Sequence, residues 1–449
     1  MVHSDWRAHR ASRQHRKLLV GGLLYCCLLL LLSGCASPLS GNSQAAQGTP
    51  VRATPTPSPT PTPRPLTTDR EIAQALVQGM SLDQKLGQMV ISEFYGSTLS
   101  SDLIQMVKSH GISGVLIENK NGNARTRSQL ISLNKAMQGQ ATIPLFISTD
   151  FEGGPVNELR LITGERASES SIGATGNPQV AYNAGLKAAN DLKALGLNVN
   201  YMPIVDVLTN PNNPGLIDRT FGNNPTLVTN MGRAYLKGLT AGGVIGSLKH
   251  FPGLGSASVD PHYSLPYMNR SQAQMNAVDL VPYRTLISEG VVPMVMVTHI
   301  LNPQLDAKLP TSLSPKVVTN LLRNQLKFQG VIISDTLWMG GISNTYSLSQ
   351  AAVLAVNAGI NLILGPRGLS DTVSMLAGLK KAVNNGSVSL DKINTSAQLI
   401  LEMKLHYKVL SHTQALALIS AESGTPTANS GALHMADGSF CADVRKNVL

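Results

Sequence analysis

The chain of 449 residues contains only four cysteines. Cys26, Cys27 and Cys35 fall in or just after an apolar leader, and Cys441 lies near the end. With only Cys441 left beyond the leader, no intrachain disulfide framework is available. No cysteine pair has metal-ligand spacing, and neither a metal nor another cofactor is expected. Aromatic residues make up 4% of the chain, with two tryptophans. That is poor material for stacking on bases, and no nucleic-acid partner is expected.

The first residues read as a targeting segment. Arg7, Arg10, Arg13, Arg16 and Lys17 form a basic region, followed by the apolar stretch "LLVGGLLYCCLLLLLS". It ends in Leu32-Ser33-Gly34-Cys35, which resembles a bacterial lipobox. Residues 1–34 are therefore expected to be a lipoprotein signal peptide, with Cys35 lipidated. The alternative is an uncleaved membrane anchor. Either one predicts export and retention at the outer face of a membrane. The five basic residues and Asp5 carry +4 of the net charge of +10, which leaves +6 on the rest. An excess of that size favours anionic surfaces without pointing to nucleic acid.

Residues 35–68 are rich in Ser, Thr, Pro, Gly and Gln, with "TPTPSPTPTPRP" at their centre. Repeated Thr-Pro favours extended polyproline II and builds no core, so this stretch is read as a disordered, semi-rigid linker. A folded domain is expected over 69–411, and 412–449 is read as a poorly ordered tail.

Within that domain short apolar runs alternate with helical patterns. The runs are "LGQMVIS", "GVLI", "PLFIST", "NVNYMP", "GVIGSL", "VVPMVMVT", "GVIIS" and "INLILG". Continuous apolar strands are those buried on both faces, and eight such units fit a single (β/α)8 TIM-type barrel of the α/β class. A doubly wound open sheet is the competing architecture.

In such a barrel, chemistry gathers at the C-terminal ends of the strands. Those points carry Asp150 and Glu152, Asp206, Lys249 and His250, Asp260 and His262, His299, and Asp335. Polar groups at so many strand ends are costly to bury unless they pair or bind something. Asp335 could simply cap the next helix. Its functional reading is a carboxylate nucleophile that attacks an anomeric carbon. His262 is the candidate proton donor and acceptor, since an imidazole with pKa of about 6.5 does both at neutral pH. Asp260, two residues upstream, can fix the ring tautomer. Lys249 and His250 suit sugar hydroxyls, or Lys249 pairs with Asp206 or Asp150.

"KHFPGLG…DPH" resembles the KHFPGHG…D-S-H signature of family 3 glycoside hydrolases, in the β-N-acetylglucosaminidase branch. "STDFEGGPVNELR", "NYMPIVDV", "IDRTFGNNP" and "GVIISDTLWMGGI" match other family motifs in order. The resemblance implies Asp335 as nucleophile, His262 as acid/base and Asp260 as its partner. It implies sugar-binding roles for Asp150, Arg219, Lys249 and His250 and a structural wall position for Asp206; His299 matches no catalytic position of the family and is read as a rim residue. Arg219 is alternatively a structural salt-bridge residue.

The implied activity is a retaining β-N-acetylhexosaminidase acting on peptidoglycan fragments or related glycans. Two-domain glucosidases of the family usually draw their acid/base from a second domain. None is expected here, which favours His262. Four positions depart from the pattern: Leu254 for His, Pro261 for Ser, Phe151 for Gln and Pro155 for Arg. They bear on substrate choice rather than reaction class. Another β-glycosidase, a phosphorylase, or a non-catalytic sugar-binding lipoprotein are the alternatives.

Overall fold

The computed structural model describes residues 66–423. The leader, Cys35 and most of the linker lie outside them. Among the described residues, no helix is long and apolar enough to cross a membrane.

Every one of the eight apolar runs overlaps a strand: β1 Val90–Glu93, β2 Gly114–Leu116, β3 Phe146–Thr149, β4 Val199–Asn200, β5 Ile245–Phe251, β6 Met294–Val297, β7 Val331–Ser334 and β8 Ile363–Arg367. Each pairs in parallel with the next along the chain from β1 to β7, and β8 pairs with β1, Val90 opposite Ile363. A parallel bridge between Ile333 and Leu362 completes the ring. The architecture is thus the TIM-type barrel that the apolar runs predict, not an open sheet. The strands are buried almost throughout because side chains fill the barrel on one face and helices cover the other.

Local signals start the helices. Thr68 caps helix Asp69–Gly79 through a capping box with Glu71, and Ser81 does the same with Gln84 for helix Leu82–Gln88. Asn177-Pro178 and Asn224-Pro225 open helices Pro178–Ala194 and Pro225–Ala241 with an Asn cap and a first-turn proline. These two helices pack closely through glycine. A Cβ on Gly185 would lie 2.2 Å from the Tyr235 carbonyl oxygen, and one on Gly238 would lie 2.2 Å from that of Tyr182.

The segment expected to be a poorly ordered tail from residue 412 begins with a helix, His412–Ser423. Ala415, Leu418 and Ile419 join a second small core with Ile72, Leu76, Val77, Leu401 and Leu405. His412 Nε2 also contacts Asp69 Oδ1 at 2.6 Å. The apolar stripe in "QALALIS" gains a partner only when the first helix is in place. Residues 424–449 lie outside the described region.

Candidate active site

The strand ends carry their polar groups into one cavity of about 180 Å³. Asp150, Arg219, Lys249, His250, His262 and Asp335 all line it. The order of the strands explains the convergence, since residues leaving β3, β4, β5 and β7 all open on the same face of the barrel.

Asp335 follows β7 directly and is partly buried. Its Oδ1 accepts the Thr336 N–H at 2.8 Å, and Thr298 Oγ1 donates to its Oδ2 at 3.4 Å. Burial pushes its pKa up. The imidazoles of His299, His250 and His262 and the Thr336 amide outweigh that effect and hold the carboxyl below its ordinary value. A carboxylate held ionised and not consumed by a salt bridge is suited to nucleophilic attack.

His262 sits on the loop after β5 with 52% of its side chain exposed. Its Nδ1 lies 2.7 Å from Asp260 Oδ1, which also accepts the His262 backbone N–H at 2.9 Å. A carboxylate only accepts, so Nδ1 carries the proton and Nε2 is the atom left to exchange one.

Lys249 is buried within β5, two residues before its end. Its Nζ donates to Asp150 Oδ1 and Glu152 Oε1, each at 2.6 Å. Glu152 in turn binds Arg219 through both oxygens, at 2.8 Å each. Burial raises the Glu152 pKa, but Arg219 and Lys249 together drive it down to about 2. Arg219 is thus a salt-bridge residue that also forms part of the cavity wall. Lys249 pairs with Asp150, not Asp206.

Asp206 is fully buried and shapes the loop behind the cavity. It takes the His250 Nδ1 at 2.7 Å, the His250 N–H at 3.1 Å and the Leu254 N–H at 2.6 Å. His250 Nε2 is thereby left for the cavity.

His299, expected at the rim, is instead fully buried. Its Nδ1 meets Ser312 Oγ at 2.7 Å and its Nε2 meets the Thr336 carbonyl oxygen at 3.1 Å. Burial holds its pKa below the ordinary histidine value. It supports the loop that carries Asp335 and does not line the cavity.

Glu118, Lys120, Glu158, Trp338 and Met339 also line the cavity, and the sequence reading did not assign them. Glu118 stands one residue beyond the run "GVLI", at the end of β2. The strand-end rule applied there would have found it. Lys120 Nζ lies 2.5 Å from Glu118 Oε2. Trp338 donates its indole N–H to Glu93, and Lys120 lies over its ring. Among the described residues, no cluster of His, Cys, Asp and Glu is arranged to hold a metal.

The family model described as "Glycosyl hydrolase family 3 N terminal domain" matches residues 81–403. The chain belongs to glycosyl hydrolase family 3. It is a glycoside hydrolase by that membership. It is 33% identical to beta-hexosaminidase A of Pseudoalteromonas piscicida over 74% of this chain, and spans 59% of that relative's length. It is 31% identical to beta-hexosaminidase LpqI of Mycobacterium tuberculosis, over 72% of this chain and 83% of the relative. A solved family 3 β-N-acetylglucosaminidase from Paenibacillus sp. str. FPU-7 superposes with a TM-score of 0.70 at 31% identity, covering 77% of this chain and 68% of that one.

The departures from the family 3 motifs can now be placed. Leu254 is buried and sends its side chain into the hydrophobic core. Phe151 is buried as well, beneath the Arg166 guanidinium at 4.2 Å. Pro155 is exposed at a hairpin turn beside Val156, which lines the cavity. Pro261 lies in the His262 loop. Neither Leu254 nor Phe151 lines the cavity.

Proposed function

We propose that the protein is a retaining β-N-acetylhexosaminidase that removes terminal β-linked N-acetylglucosamine from peptidoglycan fragments or related glycans. The observation that carries this reading is the pairing of an ionised Asp335 with the Asp260-oriented His262 on one cavity. In the first step Asp335 attacks the anomeric carbon and His262 Nε2–H protonates the departing oxygen. The aglycone leaves and a glycosyl–Asp335 ester remains. In the second step neutral His262 takes a proton from water, whose oxygen attacks the same carbon and frees Asp335. Asp260 stabilises the imidazolium that gives its proton in the first step and is restored in the second.

Asp150, Lys249, Arg219 and His250 are the sugar-binding residues in this scheme. They offer donors and acceptors whose positions are fixed before substrate arrives, by the Lys249–Asp150 pair, by Glu152 on Lys249 and Arg219, and by Asp206 on His250, which saves ordering cost on binding. The names of the hexosaminidase relatives support an acetamido sugar over a plain glucoside.

The leader sequence supports export and lipidation at Cys35. One relative from Arthroderma benhamiae, 32% identical, is described as a secreted glycosyl hydrolase. Loss of membrane association in Cys35→Ala would support the anchor.

The enzymatic reading is tested with a panel of aryl β-glycosides, assayed with and without phosphate. Turnover of the N-acetylglucosaminide, abolished in Asp335→Asn and His262→Ala, is the expected result. Activity confined to sugars without the acetamido group would overturn the substrate, and glycosyl phosphate as product would overturn hydrolysis. Binding of N-acetylglucosamine without turnover of any glycoside would overturn catalysis.

A further inference from the structure

The loop carrying His262 is tied to the loop carrying Asp335. After Asp335 the chain runs through "TLWMGGISN" into the short helix Gly340–Ser343. Its first amides have no partner within the helix, as at any helix start. Here they are taken by the other loop. Gly340 N–H donates to the His262 carbonyl at 2.9 Å, and Gly341 N–H to the Pro261 carbonyl at 3.0 Å. Asn344 Nδ2 donates to the Tyr263 carbonyl at 3.1 Å. Three consecutive carbonyls, centred on the histidine, are held by one neighbouring segment.

Space explains the glycines. Neither Gly340 nor Gly341 has positive φ, so neither is required by backbone conformation. A Cβ on Gly340 would lie 2.2 Å from the Tyr263 carbonyl oxygen and 3.1 Å from that of His262. One on Gly341 would lie 3.2 Å from the Pro261 carbonyl oxygen and 3.3 Å from His299 Cβ. The obstacle at Gly340 is backbone, which cannot rotate aside as a side-chain tip can. The bare Gly340–Gly341 surface is therefore a seat shaped for residues 261–263.

We propose that Gly340, Gly341 and Asn344 are positioning residues for the proton donor, fixing His262 relative to the nucleophile Asp335 by latching the two loops together. This rests on the acid/base role given to His262 above. The latch touches only the backbone around the histidine, so it acts on where Nε2 sits and leaves Asp335, held by β7 and the Thr336 amide, in place.

That separation provides the test. A good leaving group such as 2,4-dinitrophenolate departs without protonation, whereas a simple alkoxide or phenolate needs it. kcat/KM, which reports the step up to the glycosyl intermediate, is measured for 2,4-dinitrophenyl and phenyl β-N-acetylglucosaminides. Gly340→Ala is expected to lose about 10²-fold on the phenyl glycoside and under about threefold on the dinitrophenyl one. Asn344→Ala, an exposed change that removes a single donor, is expected to show the same selectivity at about 3–10-fold. Equal losses on both glycosides in Asn344→Ala, or no loss in either variant, would overturn the latch. If the wild type cleaves neither glycoside, the failure lies with the proposed reaction itself. If it cleaves both but His262→Ala shows no leaving-group selectivity, the failure lies with the acid/base assignment.

Discussion

Glu152 and Arg219 form a bidentate pair with both contacts at 2.8 Å, and the same carboxylate also holds Lys249. Removing its charge leaves two cations beside the single carboxylate of Asp150. Glu152→Gln is expected to destabilise the fold by about 3–5 kcal/mol, in the range for breaking a buried pair. The Glu152 pKa lies below its unfolded value, so the carboxylate contributes stability above pH about 4.5 and loses it as pH falls toward about 2. Thermal melts of wild type and variant at pH 7 and pH 3 check both statements. The gap narrows at the lower pH.

Glu118 behaves in the opposite sense. Burial first, then the nearby Glu93 and Asp150 carboxylates, raise its pKa to about 7 from 4.5, against the opposing pull of Lys120. The folded state holds a proton there that the unfolded chain releases, so stability falls as pH rises between those two values. Glu118→Gln keeps the neutral form. Its melting temperature is expected to gain on the wild type between pH 5 and pH 8, by the equivalent of about 2–3 kcal/mol. Parallel curves across that range would contradict the assignment.

Asp260 accepts two hydrogen bonds from a single residue, His262. Asp260→Ala frees the ring to rotate and removes the carboxylate that stabilises its charged form. A loss of roughly 10²–10⁴-fold in kcat is expected with unchanged stability. Turnover of a phenyl N-acetylglucosaminide and a thermal melt, taken together, test it. A melting temperature lowered along with the rate would mean that Asp260 serves the fold instead.

The helix contact at Gly238 offers a control remote from the cavity. Gly238→Leu places side-chain atoms where the Tyr182 carbonyl and the Leu186 amide now lie. Helices Pro178–Ala194 and Pro225–Ala241 must part, at a cost of several kcal/mol in the manner of an overpacked core. Any folded fraction should keep the wild-type KM.

Much of this was visible in the linear chain, for physical reasons that differ by region. The strands were legible because parallel strands buried on both faces need unbroken apolar runs, as in "GVIIS" and "PLFIST". The place of Asp335 and Lys249 at the cavity was legible because each directly follows an apolar run, "GVIIS" and "GVIGSL". Glu152 was seen at a strand end, but its position at the hub depends on how β3 and β5 sit beside the β4–β5 connection that carries Arg219. The burial of His299 was hidden because sequence alone does not show that the loop after β7 folds back over it. The helix at 412–423 was missed because its apolar stripe is short and its partner lies more than 300 residues earlier.

At the cavity Lys249 and Arg219 pair with Asp150 and with Glu152 buried behind them, two positive groups against two negative ones. These four groups sum to zero, so they act on a ligand through oriented dipoles rather than long-range attraction. Mobile ions in the surrounding medium have little there to shield. If the proposed sugar sits there, its hold is expected to be about as firm in brine as in fresh water.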